Sequence, residues 1–501
     1  MKLIKKVLYV LFIVICSTLI IGSLYVKKIY PDVLFEELFF YLTNGVNNSD
    51  NSLVVMGLKY GLPLITFLTI FLYIILSNLF ITNLIIKNKK IVFIVKIVLN
   101  IILFALSILI CMKNLNAFDY FKYQNEVSRF IDSNYVNPEK VKLTFPDKKR
   151  NLITIFVESL ETSMFTKNQG GYWDYEVIEE LYKLLNDEDT VVFYNNNKTE
   201  LMEQLEKSAW TTGGDVANTS GLPLKIPIQR SSYHSKSFMP GAYSLGDLLS
   251  DNGYYNEYIS SARTSFGGIM EYFYKHGNYK ILDINSYKDF NLTIEDRDIS
   301  KWGFNDYYLF EASKKRLEEI AKSDKPFNVA IQTIDTHYVD GYIGWYSKDK
   351  YDTQYENVYA TTSELIYNFI KWLKNQDFYD NTTIMIVGDH ISMQADFFED
   401  RGATKRYIYN CYINPAIKPK NVKNRVYTSI DSYPTIISSL GIKIDGNRLG
   451  LGVDLFSGEK TLSEKYGFEY VNNELNKKSV FYNKTILGKD YEKMNNDLKK
   501  H

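Results

Sequence analysis

Three long apolar runs near the amino terminus constrain this 501-residue chain more than any other feature. Residues 7–26 and 61–86 carry no charged side chain, and residues 91–112 carry one, Lys96. A bilayer core needs roughly 20 apolar residues in a helix, and all three runs meet that length. The alternative for the first run is a cleaved signal peptide. It is longer than the about 7–15 apolar residues of a signal core, and no small-x-small cleavage site follows, so a retained helix is expected. Lys2, Lys5 and Lys6 precede the first run, and Lys87, Lys89 and Lys90 lie between the second and third. The positive-inside rule places both clusters in the cytoplasm. Lys27 and Lys28 share their loop with Asp32, Glu36 and Glu37, and Lys96 lies within snorkelling reach of an interface. The expectation is a multi-pass cell-membrane protein with a three-helix anchor over 1–112. Residues 113–150 read as a juxtamembrane helix and linker, and 151–501 as an extracellular domain.

A chain this long is expected to hold more than one domain. Lys plus Arg and Asp plus Glu both total 58, which argues against a general nucleic-acid binder. Cys16 and Cys111 lie in apolar runs and only Cys411 lies outside them, so no disulfide framework or zinc finger can be assembled.

After residue 150 the pattern changes to short continuous apolar runs alternating with segments of helical period. The runs are NLITIFV (151–157), TVVFYN (190–195), FNVAIQTI (327–334) and TTIMIVG (382–388). Continuous rather than alternating runs suit strands buried on both faces of a largely parallel sheet. Helices are expected at 243–253 and 361–376. The second carries a stripe of Leu365, Ile366, Phe369, Ile370 and Leu373. The fold class is therefore α/β: a mostly parallel central sheet covered by helices, behind transmembrane helices.

The strand ends carry chemistry. The first run ends in Glu158-Ser159, the third in Asp335-Thr336-His337 and the last in Asp389-His390. A single Asp or His in such a place is ordinarily a turn residue or helix cap. Three occurrences after buried-type strands shift the balance, because ligands of open α/β sheets bind outside the carboxyl ends of the strands. Two carboxylates and an imidazole suit a divalent cation of the manganese or zinc kind, and carboxylates also suit magnesium. His234, His276 and His501 have no comparable context. A loop rich in hydroxyls and glycine, EKSAWTTGGDVANTSGLPL (206–224), offers amides to an anion and threonine hydroxyls that a metal or base would have to activate.

Taken in order, NLITIFVESLETSMF, WTTGGDVANTSGLPL, TIDTHYVDGY and VGDHISM resemble the alkaline-phosphatase/sulfatase superfamily. Within it they resemble the membrane-bound phosphoglycerol transferases, which include the lipoteichoic acid synthases and the enzymes that decorate periplasmic glucans. The Trp-Thr-x-x-Gly pattern, the Asp-Thr-His element and SIDSYPTIISSLGI look closer to the glucan-modifying branch. The resemblance spans roughly residues 150–460 and implies a set of roles. Glu158, Asp389 and His390 would hold a divalent metal, manganese first, with zinc or magnesium as alternatives. Thr211 would be nucleophile and fourth ligand, with Thr212 the competing candidate. His337 would contact the substrate phosphoglycerol, and Arg263 falls near the family's phosphate-recognition segment. The implied reaction takes phosphoglycerol from phosphatidylglycerol to a glycan or glycolipid hydroxyl through a glycerophospho-threonine, in building the cell envelope. Phosphoethanolamine transfer, phosphodiester hydrolysis and an inactive tethered scaffold are the alternatives. Two features depart from the family. Lipoteichoic acid synthases usually carry five transmembrane helices rather than three, and the sulfatase signature, Cys or Ser followed by x-Pro-x-Arg, is absent.

Overall fold

The computed structural model describes residues 2–29, 35, 36, 38, 57–78, 88–225, 238–264, 267–290, 292–295, 298–300 and 302–488. Residues 79–86 of the second expected span, along with Asp32, Glu37, Lys87, His234 and His501, lie outside them. The chain divides into two compact units, Met1–Gln124 and Asn125–His501.

The first unit holds helices α1 (Lys2–Ile29), α2 (Leu62–Asn78) and α3 (Lys89–Asn114). Each belongs to one of the 3 stretches that, among the described residues, are long and apolar enough to cross a membrane. Phe67, Phe93 and Ile101 on these helices are largely exposed. Bare apolar surface of this kind is costly in water and favourable in lipid.

The second unit includes the segment 125–150. Leu143–Thr144 pairs antiparallel with Lys443–Ile444, and the Arg150 guanidinium donates to the carbonyls of Thr382 and Asn414. The centre of the unit is a 7-stranded sheet. Its strands are β1 (Asn151–Val157), β2 (Thr190–Val191), β3 (Tyr255–Ser260), β4 (Lys280–Leu282), β5 (Phe327–Gln332), β6 (Thr382–Gly388) and β7 (Asn410–Ile413). Their order is β2-β7-β6-β1-β5-β3-β4. The pairs from β6 to β4 are parallel, and β7 runs antiparallel to both its neighbours. The sheet is thus mixed but mostly parallel, in line with the continuous apolar runs.

Strand alternation divides the residues between two buried faces. Ile153, Ile155, Val157, Ile331, Ile384 and Ile386 share one hydrophobic core with Ile366, Phe369, Ile370 and Leu373 of α8 (Gln354–Lys374). That core also takes in residues of α4 (Glu179–Leu185) and α7 (Asp306–Ile320). Each fully buried side chain of this size stabilises the fold by about 1.5–3 kcal/mol. The alternate residues Phe156, Tyr258, Met385 and Val387 are equally buried on the opposite face. The remaining helices used below are α5 (Thr211–Ser220), α6 (Leu245–Asp251) and α9 (Ser432–Ser439), with α5 packed against both α6 and α9.

Three differences from the sequence reading have local causes. The run at 190–195 is strand only over Thr190–Val191, because the chain then leaves the sheet edge and Tyr194 N bonds Val422 O instead. Helix α8 begins seven residues before the expected start at 361, where Thr353 caps it by accepting from Glu356 N. Strands β3, β4 and β7 are additional. YNEYIS reads as polar, yet Glu257 is buried there because Arg316 donates to both its oxygens.

Candidate metal centre

Strand β1 ends at Val157 and strand β6 at Gly388, and the two are in register, Val157 opposite Gly388. The next residues, Glu158 and Asp389, leave adjacent parallel strands at the same level. His390 follows directly. Ligand atoms of Glu158, Asp389 and His390 all lie within 4.8 Å of one another, and all three side chains are buried. Such convergence at the carboxyl edge is where an open α/β sheet places its ligands.

Local geometry fixes each group. Asp389 Oδ1 accepts from the backbone N–H groups of Ser159 and His390, both at 2.8 Å, and Oδ2 accepts from Gln332 Nε2 at 3.3 Å. Ser159 sits in the left-handed region (φ 54), turning the chain sharply after Glu158, and its hydroxyl donates to Glu158 Oε1 at 2.6 Å. The Glu158 carbonyl accepts from the hydroxyl of Thr336. His390 Nδ1 bonds the Ile391 carbonyl at 2.7 Å, so Nδ1 carries a hydrogen and Nε2 faces the carboxylates. That Nε2 lies 3.4 Å from Glu158 Oε1 and 3.7 Å from Asp389 Oδ2.

The fourth element is α5. Its first residue, Thr211, is half-buried, and Oγ1 donates to Glu158 Oε2 at 3.3 Å. Thr212 is different. Its hydroxyl is buried and committed to the Gly267 carbonyl at 2.8 Å. The helix reaches the strand end because residue 214 is glycine. A Cβ there would lie 2.1 Å from the Asp389 carbonyl oxygen, and one at Gly388 would lie 2.0 Å from that of Leu160. Backbone therefore meets backbone on both sides of Asp389.

This donor set fits a divalent cation. Two carboxylates, an imidazole nitrogen and a hydroxyl face one another, and no Lys or Arg ion pair among the described residues reaches Glu158 or Asp389. Burial, joined by the negative charge of Glu158, pushes the Asp389 carboxyl up to about 7. Two buried carboxylates without a compensating charge are costly, and a cation between them removes that cost.

The other expected residues stand around this group. His337 is half-buried, its Nδ1 bonds the Tyr338 carbonyl at 2.8 Å, and its ring lies 4.6 Å from that of Trp302. Arg263 is exposed on the loop after β3, and among the described residues no hydrogen bond or ion pair joins it to Glu158, Thr211, Asp389 or His390. His276 is tied to Asp247 and to the Phe238 carbonyl, an ordinary buried pairing. Two residues escaped the sequence reading. One is Ser159, whose positive φ leaves no mark in sequence. The other is Asp215, a fully buried acid one helical turn after Thr211, whose i, i+4 spacing was a usable signal.

Residues 219–442 match the family model described as Sulfatase. The chain is similar to phosphoglycerol transferase I of Xanthomonas euvesicatoria pv. vesicatoria (strain 85-10), 27% identical over 301 residues, which are 58% of this chain and 41% of that protein. It is 28% identical to phosphoglycerol transferase I of Escherichia coli O6:K15:H31 over 335 residues, 65% of this chain and again 41% of the relative. The chain thus spans about two fifths of the length of these curated relatives. In fold it is similar to the integral membrane protein lipooligosaccharide phosphoethanolamine transferase A from Neisseria meningitidis. The TM-score there is 0.50 at 13% identity, over 88% of this chain and 85% of that one. Over these stretches the chain is thus similar in sequence to sulfatase-family proteins and phosphoglycerol transferases, and in fold to a membrane-bound phosphoethanolamine transferase.

Proposed function

We propose that this chain is a membrane-tethered transferase. It moves phosphoglycerol from phosphatidylglycerol to a hydroxyl of a glycan or glycolipid outside the cell, through a covalent intermediate on Thr211. One observation carries the reading: a half-buried hydroxyl lies 3.3 Å from a carboxylate that belongs to a buried metal-ligand cluster. The relatives named phosphoglycerol transferase I support the choice of head group.

Glu158, Asp389 and His390 would hold a divalent cation, manganese first, which when bound lowers the pKa of the Thr211 hydroxyl and offsets charge on the phosphoryl oxygens. The chain's own residues do the rest. Thr211 Oγ1 forms a bond to the donor phosphorus while the bond from phosphorus to the diacylglycerol oxygen breaks. Its proton leaves along the bond to Glu158 Oε2 and ends on the diacylglycerol hydroxyl. The acceptor hydroxyl then attacks the same phosphorus, and Thr211 takes back a proton as it is released. Thr211 is the better nucleophile than Thr212 because its hydroxyl is not spent on a backbone carbonyl. Gln332 and Ser159 orient the two carboxylates, and the amides at the start of α5 face developing phosphoryl charge. His337, braced by Trp302, binds the phosphoglycerol, with Arg263 as a second contact. The apolar helices of the first unit keep the domain on the surface where the donor resides, which raises its effective concentration.

The test is mass spectrometry of the full chain after incubation with manganese and phosphatidylglycerol. A mass gain of one phosphoglycerol on the peptide holding Thr211, absent in Thr211→Ala, is expected. A gain on Thr212 would move the nucleophile. A stronger gain from phosphatidylethanolamine would replace the head group. No gain from either lipid would overturn the covalent route.

A further inference from the structure

Behind the ligand cluster lies a carboxylate that neither the fold nor the ligand set uses. Asp215 is on α5, four residues after Thr211, so the two side chains share one face of the helix. Helical side chains lean toward the amino terminus, which sends the Asp215 carboxylate back toward the turn that carries Thr211. At Gly214 the same helix lies backbone to backbone against Asp389. Asp215 is 0% exposed, and among the described residues neither of its oxygens has a hydrogen-bond partner. Two further buried groups at this place are also unpartnered, Oε1 of Gln332 and the hydroxyl of Tyr258. Gln332 is the residue that donates to Asp389 Oδ2. It lies opposite Ser260 across the β3–β5 pairing, on the sheet face that also carries Tyr258.

A fully buried acid with no donor is costly and is rarely kept without a role. Asp215 lies outside the group whose ligand atoms are mutually within 4.8 Å, so it is not one of the close ligands.

We propose that Asp215 is a positioning residue of the cation centre: a carboxylate behind Glu158 and Asp389 whose negative charge strengthens the hold on a divalent ion. The acid needs the ion for its own compensation, and the ion gains a third negative group. The inference rests on the same cation centre as the proposed function but makes its own claim about affinity.

The experiment is calorimetric titration of the full chain in detergent with manganese, comparing wild type with the near-isosteric Asp215→Asn. Groups behind the ligands typically change metal affinity by about 10–100-fold. The expected result is a manganese affinity at least about tenfold weaker in Asp215→Asn, with a metal-free melting temperature no lower than that of wild type. Equal affinity with a raised melting temperature would overturn the proposal, since Asp215 would then be only a buried acid. Should Asp215→Asn lack a cooperative melt, Asp215→Ser, which leaves room for solvent, carries the same comparison. If neither variant folds while metal-free wild type does, the acid serves the fold and the proposal fails. Wild type that binds no manganese at all would instead remove the proposed function itself.

Discussion

Two clusters of buried acids follow strands of the same sheet, and they differ in how their oxygens are satisfied. In the first, Asp306 accepts from the backbone N–H groups of Ile334 and Asp335. Asp335 in turn accepts from Asn305 Nδ2, Asp306 N and the Tyr346 hydroxyl. Every oxygen of that pair has a donor. The pair fastens the end of β5 to the start of α7 and needs nothing else. In the second, Glu158 and Asp389 face the imidazole of His390 and the hydroxyl of Thr211, and Asp215 behind them has no donor among the described residues. The lesson is about satisfaction rather than charge. A buried acid with a full shell of donors is a fastening, whereas an incomplete shell marks a place for something to bind.

The largest expected effect breaks the second cluster at the proposed nucleophile, Thr211. Thr211→Ala should lower transfer on the order of 10⁴-fold or more while leaving the melting temperature near wild type, measured by product formation from labelled lipid and by thermal melting. Glu158→Gln or Asp389→Asn should abolish both turnover and calorimetric manganese binding, since each removes a close ligand. Asp335→Ala, by contrast, should act on the fold. It strands three donors at about 1–3 kcal/mol each, so denaturant melts should show a loss on the order of 3 kcal/mol with manganese affinity retained.

Burial lifts a carboxyl in each cluster, Asp389 to about 7 and Asp335 to about 6. Between about pH 4 and 7 the folded metal-free chain therefore holds more protons than the unfolded chain, and its stability falls as pH rises through that window. Manganese should reverse the trend, because the ion needs Asp389 ionised. Its affinity should weaken by about tenfold for each pH unit below about 7, read by titration at several pH values. The smallest effect sharpens the choice between neighbouring hydroxyls. Thr212→Val removes the bond to the Gly267 carbonyl and should cost about 1 kcal/mol of stability with transfer preserved.

Much of this was visible in sequence where one physical cause dominated. Strands β1, β5 and β6 are continuous apolar runs because both their faces are covered, and the polar residues that end them stand out. Strand β3 was hidden, since its Glu257 is compensated by an arginine 59 residues away. The metal-ligand types at 158, 389 and 390 were legible as types. Their convergence depends on the register of β1 against β6, which no local pattern encodes. Asp215 lay unread in a stretch of threonine and glycine, because burial without a partner is a property of the folded chain alone.

The close passage of α5 over Asp389 has a consequence for how such a protein can change. Gly214 and Gly388 supply no functional atom, yet a single methyl at either would collide with a neighbouring carbonyl. The surrounding loops can vary in length and chemistry without touching this contact. At these two positions a side chain would push α5 or the strand end away from Asp389 and disturb the ligand cluster while every ligand side chain remains in the sequence.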